Sequence, residues 1–111
     1  MKFDTKKPFG EQVRQARKEK NWTINDFIRQ LGYISFMDAM LSPAYISKVE
    51  VYGEIPTPGI ICKMVDLFGW DVNDVLNTAR RERVELSNKV LEESYSRALK
   101  RHLEHTSEQK L

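Results

Sequence analysis

Apolar residues recur at helical spacing along most of this chain. Phe9, Val13 and Ala16 fall at i, i+4 and i+7 and mark one face of a helix over 9–20. Thr23 followed by Asp26 has the form of a capping box, and Ile24, Phe27, Ile28 and Leu31 supply the buried stripe of a second helix over 23–31. Gly32 closes that helix. Ser42-Pro43 sets an N-cap ahead of a proline at the first helical position and opens a third helix over 43–51. Thr57-Pro58 repeats the device for a fourth over 58–68, and Asp71, with Asp74 three residues on, opens a fifth over 71–79. A longer amphipathic helix is predicted over 82–104. Val84, Leu91, Tyr95, Ala98 and Leu99 share one side of it, Leu103 lies nearby, and Leu86 and Val90 sit off the stripe. No run alternates apolar and polar residues between turn signals, so no strand is predicted. With short connections between the early helices, the pattern predicts a compact all-α bundle.

Size narrows the reading. The 111 residues are 41% hydrophobic and 31% charged, which suits one globular domain with an appendage and excludes a large two-lobed enzyme. No apolar run approaches the roughly 18 residues of a bilayer span. The segment Met1 to Pro8 has no apolar signal-peptide core, so a soluble, cytoplasmic chain is expected. The single Cys62 excludes an internal disulfide framework and a cysteine-rich zinc site. It lies in the apolar run Ile60-Ile61-Cys62 and is expected to pack in the core.

Charge is uneven. Residues 1–20 carry seven basic side chains against three acidic ones, whereas residues 21–76 carry three basic against seven acidic. Arg80, Arg81 and Arg83 then cluster near the start of the last helix. A basic amino-terminal end suits a polyanion partner, and a weakly acidic middle does not. Other chemistry finds little footing. There is no glycine-rich phosphate loop, and no serine or cysteine has a recognisable base and orienting group. His102 and His105 are three apart, a spacing able to ligate a metal, but two histidines alone do not define a site. Trp22 and Trp70 read as core. No enzyme activity, cofactor or metal is expected.

The informative segment is 42–50, Ser-Pro-Ala-Tyr-Ile-Ser-Lys-Val-Glu. Ile46 and Val49 can anchor one face of a helix there, leaving Pro43, Ala44, Ser47 and Lys48 to point outward. With Gly10 to Lys18, Trp22-Thr23, Phe27 to Gly32 and Leu67 to Leu76, it resembles the helix-turn-helix domain of the XRE (Cro and phage-repressor-like) transcriptional regulators, over about Phe9 to Leu76. The resemblance implies a five-helix repressor-like domain whose third helix enters the major groove. Ser42, Pro43, Ala44, Tyr45, Ser47 and Lys48 are then the DNA-binding candidates, with Arg14 and Lys18 on the first helix. Pro43 and Ala44 can read only thymine methyl groups. Lys48 can donate to guanine or phosphate, and the Ser42 and Tyr45 hydroxyls suit phosphate. The resemblance also implies a structural ion pair between Arg17 and Glu50.

Three features depart from the family pattern. Tyr33 to Met40 is an insertion where a short turn is usual, and its apolar residues either cover the domain's own core or form a partner surface. The loop Val51 to Pro56 lacks basic residues. Ile24 begins the second helix where a polar phosphate contact is frequent. Compensation is expected from a flexible basic arm, residues 1–8, with Lys2, Lys6 and Lys7, and from Arg80, Arg81 and Arg83. The expected organisation is therefore an arm (1–8), a helix-turn-helix domain (9–79) with its insertion at 33–40, and a carboxy-terminal helix and frayed tail (80–111). The expected function is a sequence-specific, homodimeric DNA-binding regulator, a repressor, acting on double-stranded DNA. Val84, Leu91, Tyr95 and Leu99 would form its dimer contact, unless that helix folds back on its own domain. The alternative is an antitoxin-type module that neutralises a partner protein, contacted through Tyr33 to Met40.

Overall fold

The computed structural model describes residues 2–32 and 41–109; the insertion at 33–40 lies outside them. Among the described residues the chain is all-helical, with five helices and no strand: α1 (Phe9–Glu19), α2 (Ile24–Leu31), α3 (Pro43–Tyr52), α4 (Pro58–Phe68) and α5 (Val72–Gln109). The first four match the periodicity to within a residue at each end. The last two predicted helices are one. Nothing between Ala79 and Val84 breaks a helix, since the segment is arginine and glutamate with no glycine or proline. The run of charges interrupts the apolar stripe without interrupting the backbone.

Local chemistry sets most helix ends. At α2 the Thr23 hydroxyl accepts the Asp26 N–H at 3.1 Å, and the Asp26 carboxylate accepts the Thr23 N–H at 2.9 Å. That reciprocal pair holds the Asp26 carboxyl below its ordinary range, the Thr23 backbone bond contributing most. Ser42 accepts the Tyr45 N–H at 3.1 Å, and Asp71 accepts the Asp74 N–H at 3.0 Å. Thr57 does not repeat the device. Its hydroxyl is buried without a hydrogen-bond partner, and α4 starts on Pro58 alone. Gly32 closes α2 with φ of 71° and ψ of −175°, a backbone conformation that side chains exclude.

The core joins the inner faces of all five helices. Phe9 and Val13 of α1 are fully buried with Phe27 of α2, Ile46 and Val49 of α3, Met64 of α4 and Val75 of α5. Trp70 is buried beside Phe68 and Phe3, whereas Trp22 and Cys62 are half-buried at the margin. α1 and α3 approach unusually closely. A Cβ at Gly10 would lie 2.0 Å from the Val49 carbonyl oxygen, so only glycine permits this backbone-to-backbone contact.

The amino-terminal segment is not a free arm. Phe3 is 6% exposed, its ring 5.0 Å from that of Trp70. Buried Gln12 stitches the segment to α1: its Oε1 accepts the Asp4 N–H at 2.7 Å, and its Nε2 donates to the Asp4 and Lys7 carbonyls at 2.7 and 3.0 Å. Arg81 donates to the Thr5 carbonyl at 2.7 Å. The expectation of flexibility weighed the lysines and overlooked the apolar side chain of Phe3. Lys2, Lys6 and Lys7 themselves remain exposed.

α1 begins after Pro8 without a side-chain cap of its own. Glu82 of α5 takes that place, its two carboxylate oxygens accepting the Phe9 N–H at 3.0 and 3.2 Å. Burial pushes the Glu82 carboxyl above its ordinary range, against the lowering effects of the Phe9 bond and Arg81. A carboxyl raised on folding binds more protons in the folded chain than in the unfolded one. Its contribution is therefore most favourable below the ordinary glutamate range and declines as pH rises through the folded value. Glu82→Gln is expected to remove this component. Stability curves of the two proteins from urea unfolding should differ in slope just above pH 4.5, with the wild type losing more as pH rises.

Candidate nucleic-acid interface

α3 is held along its inner face and open on its outer one. Ile46 and Val49 are fully buried, and α1 and α2 pack against the helix. Glu50, one turn after Ile46, points into a polar seam rather than into solvent. Its carboxylate accepts two hydrogen bonds from Arg17, Nε to Oε2 at 2.8 Å and an Nη to Oε1 at 2.9 Å. The remaining Nη of Arg17 donates to the Trp22 carbonyl at 2.7 Å. The guanidinium thus ties α3, α1 and the α1–α2 turn together in a bidentate geometry that lysine lacks. Both side chains are buried, at 10% and 2% exposure. Neither charge is available to a ligand.

With the inner face fixed, the outer face is defined. Pro43, Ala44 and Lys48 are exposed, and Ser42, Tyr45 and Ser47 are half-buried. The Ser42 hydroxyl is already engaged as the cap. Burial raises the Tyr45 hydroxyl above its ordinary pKa, the charge of Glu54 adds to the rise, and Arg83 works against it. Arg83, at the root of the projecting part of α5, lines a cavity with Ile55 and Pro56 of the loop that follows α3. Arg14 and Lys18 are exposed on α1. By helical position Arg14 adjoins the Gly10–Arg17 edge that meets α3, and Lys18 lies a step farther round. Of the three clustered arginines, Arg81 is occupied by the Thr5 carbonyl.

Two side chains escaped the sequence reading. Val51 and Tyr52 extend the outer face of α3 by half a turn and are 62% and 78% exposed. The predicted helix over 43–51 includes Val51 and leaves Tyr52 to the following loop. The available signal was Gly53, whose left-handed backbone ends the helix one residue later than expected. The open face of α3 is consequently apolar at both ends, with Lys48 as its single full charge.

From residue 83 to residue 105 every side chain of α5 is exposed. The helix runs away from the bundle, giving the molecule a long dimension of 64 Å against 29 and 23 Å. It does not fold back on its own domain. Val84, Leu91, Tyr95 and Leu99 are 52%, 52%, 75% and 59% exposed. Among the described residues, no helix is long and apolar enough to cross a membrane.

No family model, curated protein or solved structure matches the chain.

The Arg17–Glu50 geometry makes a direct prediction. Arg17→Met leaves the Glu50 carboxylate buried and unpaired and is expected to cost about 3–5 kcal/mol of folding stability. Replacing both residues by apolar ones of similar size should recover much of that loss. Urea unfolding of the two single variants and the double variant measures the coupling, and additive losses would show that the pair contributes nothing as a pair.

Proposed function

We propose that the protein is a sequence-specific DNA-binding transcriptional regulator, a repressor of the XRE type, that lays the outer face of α3 in the major groove. One observation carries this reading. α3 has its inner face locked by Ile46, Val49 and the Arg17–Glu50 pair, while a short outer face is presented rigidly from Pro43 to Lys48. A helix that reads base edges needs such a fixed frame, because a hydrogen bond or methyl contact is lost within an ångström or so of misplacement. The motif at 42–50 supports the same reading from the sequence. On this proposal Ala44 and Pro43 contact thymine methyls, Lys48 donates to a guanine, and Ser47 and Tyr45 lie within reach of the backbone. Arg14 and Lys18 add phosphate contacts.

The protein acts as a homodimer through α5, since one small module covers little DNA and two related by symmetry read two half-sites. Burying each of Leu91 and Leu99 is worth about 1.5–3 kcal/mol, and both stay exposed among the described residues.

A second reading has its own observation. The exposed Val51 and Tyr52, within the net acidic 21–76 segment, suit a protein partner better than a polyanion. This is the antitoxin-type alternative, and it predicts stable copurification with a small partner encoded nearby.

Gel-shift titration against DNA upstream of the protein's own gene tests the first reading. Lys48→Ala is expected to lower specific affinity by about 1–3 kcal/mol and to flatten preference at one base position. An equal loss on all sequences would assign Lys48 to phosphate, and no loss on any DNA would remove α3 as the reading helix. A second test concerns assembly. A chain ending at residue 83 retains Arg81 and Glu82, both needed by the amino-terminal segment. It is expected to sediment as a folded monomer with weakened DNA binding. A truncated dimer would place the interface elsewhere.

A further inference from the structure

α5 is divided lengthwise as well as end to end. Its first turns dock on the domain through Val75, Thr78, Ala79 and the half-buried Glu82. At about 100° per residue, the stripe of Val84, Leu91 and Tyr95 lies on the opposite side of the helix, about 180° from Val75. Val84 stands at the domain's edge, where it shares a cavity with Ile55, Pro56 and Pro58, and the stripe leaves the domain beyond it. From Val84 to His105 the stripe holds no Asp, Glu, Lys or Arg. Its two borders carry opposite charges: Glu85 and Glu92 lie along one, Arg80 and Arg101 along the other.

We propose that a second copy of this chain occupies the stripe, parallel and in register, as a two-stranded coiled coil that begins at Val84. This deepens the dimeric reading of α5 and rests on it. The spacing fits a heptad seam in which Val84, Leu91 and Ala98 take the d positions and Asn88, Tyr95 and His102 the a positions. Orientation follows from two features. In a parallel pair, each helix sets its g border against the e border of the other, five residues on. Arg80 of one copy then meets Glu85 of the other. In an antiparallel pair centred on Leu91 and Tyr95, like borders meet, and the two Glu92 carboxylates confront each other across the middle of the seam. The second feature is Asn88. In register, its amide faces its own counterpart, and each can donate to the other's carbonyl oxygen. Antiparallel, it faces Ala98 and its polar groups are buried against a methyl. A single buried asparagine of this kind fixes register and favours two strands over three.

The arrangement puts both domains at the amino-terminal end of the coil, one on each outer side. The two α3 helices are then related by the axis of the coil, and the coil's far end points away from them.

Disulfide trapping in the full-length chain, with Cys62→Ser to remove the native thiol, tests this. The seam predicts that Val84→Cys, dimeric by sedimentation in reductant, links to itself in a glutathione redox buffer. In the antiparallel pair the two positions would lie about 27 Å apart, too far to join. Leu91→Glu is expected to raise the dimer dissociation constant about tenfold or more. A dimer in which Val84→Cys fails to self-link, or links instead to His102→Cys in a mixture of the two variants, overturns the parallel arrangement. A chain that stays monomeric at micromolar concentration overturns the coil altogether. If that monomer still shifts DNA, the DNA-reading assignment of α3 stands, and the dimeric reading of α5 falls with this proposal.

Discussion

The Arg17 guanidinium ties α1 to α3, 33 residues on, and to the turn that follows α1. It binds Glu50 on α3 through two nitrogens and the Trp22 carbonyl through the third. A buried ion pair gains little net stability, because desolvating both charges costs nearly what their attraction returns. Its value is directional. Two parallel hydrogen bonds fix the rotation of α3 about its own axis, and therefore which residues face out. The Gly10 contact with the Val49 carbonyl works with it by setting the distance between α1 and α3. With rotation and distance both fixed, the outer face from Pro43 to Lys48 follows without freedom.

A second consequence concerns α5, which serves the fold and the exterior with the same backbone. Glu82 caps α1 and Arg81 binds the Thr5 carbonyl, so the first turns of α5 complete the domain. One residue later the helix leaves it. Helix propensity alone must carry the exposed part, and its glutamate, lysine, arginine and leucine content suits that task. An isolated helix of this length is still only marginal in water. Packing of the apolar stripe is the stabilisation it lacks among the described residues, and this is why the exposure of Leu91 and Tyr95 matters more than that of scattered surface residues.

The extent to which this was legible in the sequence depends on the range of each interaction. Thr23 with Asp26 and Ser42 with Tyr45 are three residues apart, and short-range rules located them. The start of α4 came from Thr57-Pro58, and the burial of Phe9, Val13 and Ala16 from periodicity. Gln12 gave a signal that was passed over: it lies on the apolar face of α1 with Phe9, Val13 and Ala16, where a polar side chain must be satisfied. Its partners Asp4 and Lys7 are close in sequence, but no spacing rule names them. The bond from Phe9 to Glu82 spans 73 residues and had no local signature at all. At the candidate interface, the inner and outer residues of α3 were readable from their spacing. Tyr52 was not, because helix ends depend on the Gly53 backbone more than on the residues before it.

Electrostatics joins the two ends of the molecule. Counting basic residues along the sequence overstates the charge available to a polyanion, since Arg17 is consumed in the core and Arg81 by a backbone carbonyl. What remains near α3 is Lys48, with Arg14 and Lys18 on α1 and Arg83 at the root of α5, opposed by Glu54 beside Tyr45. The affinity that counterion release provides grows with the number of phosphates neutralised. A single copy offers few cations for that purpose, and the outer face of α3 is largely apolar. Two copies held side by side double the number of cations presented together. On the DNA-binding reading, therefore, assembly through α5 is part of what makes α3 able to hold DNA, and the weak charge of the one explains the length of the other.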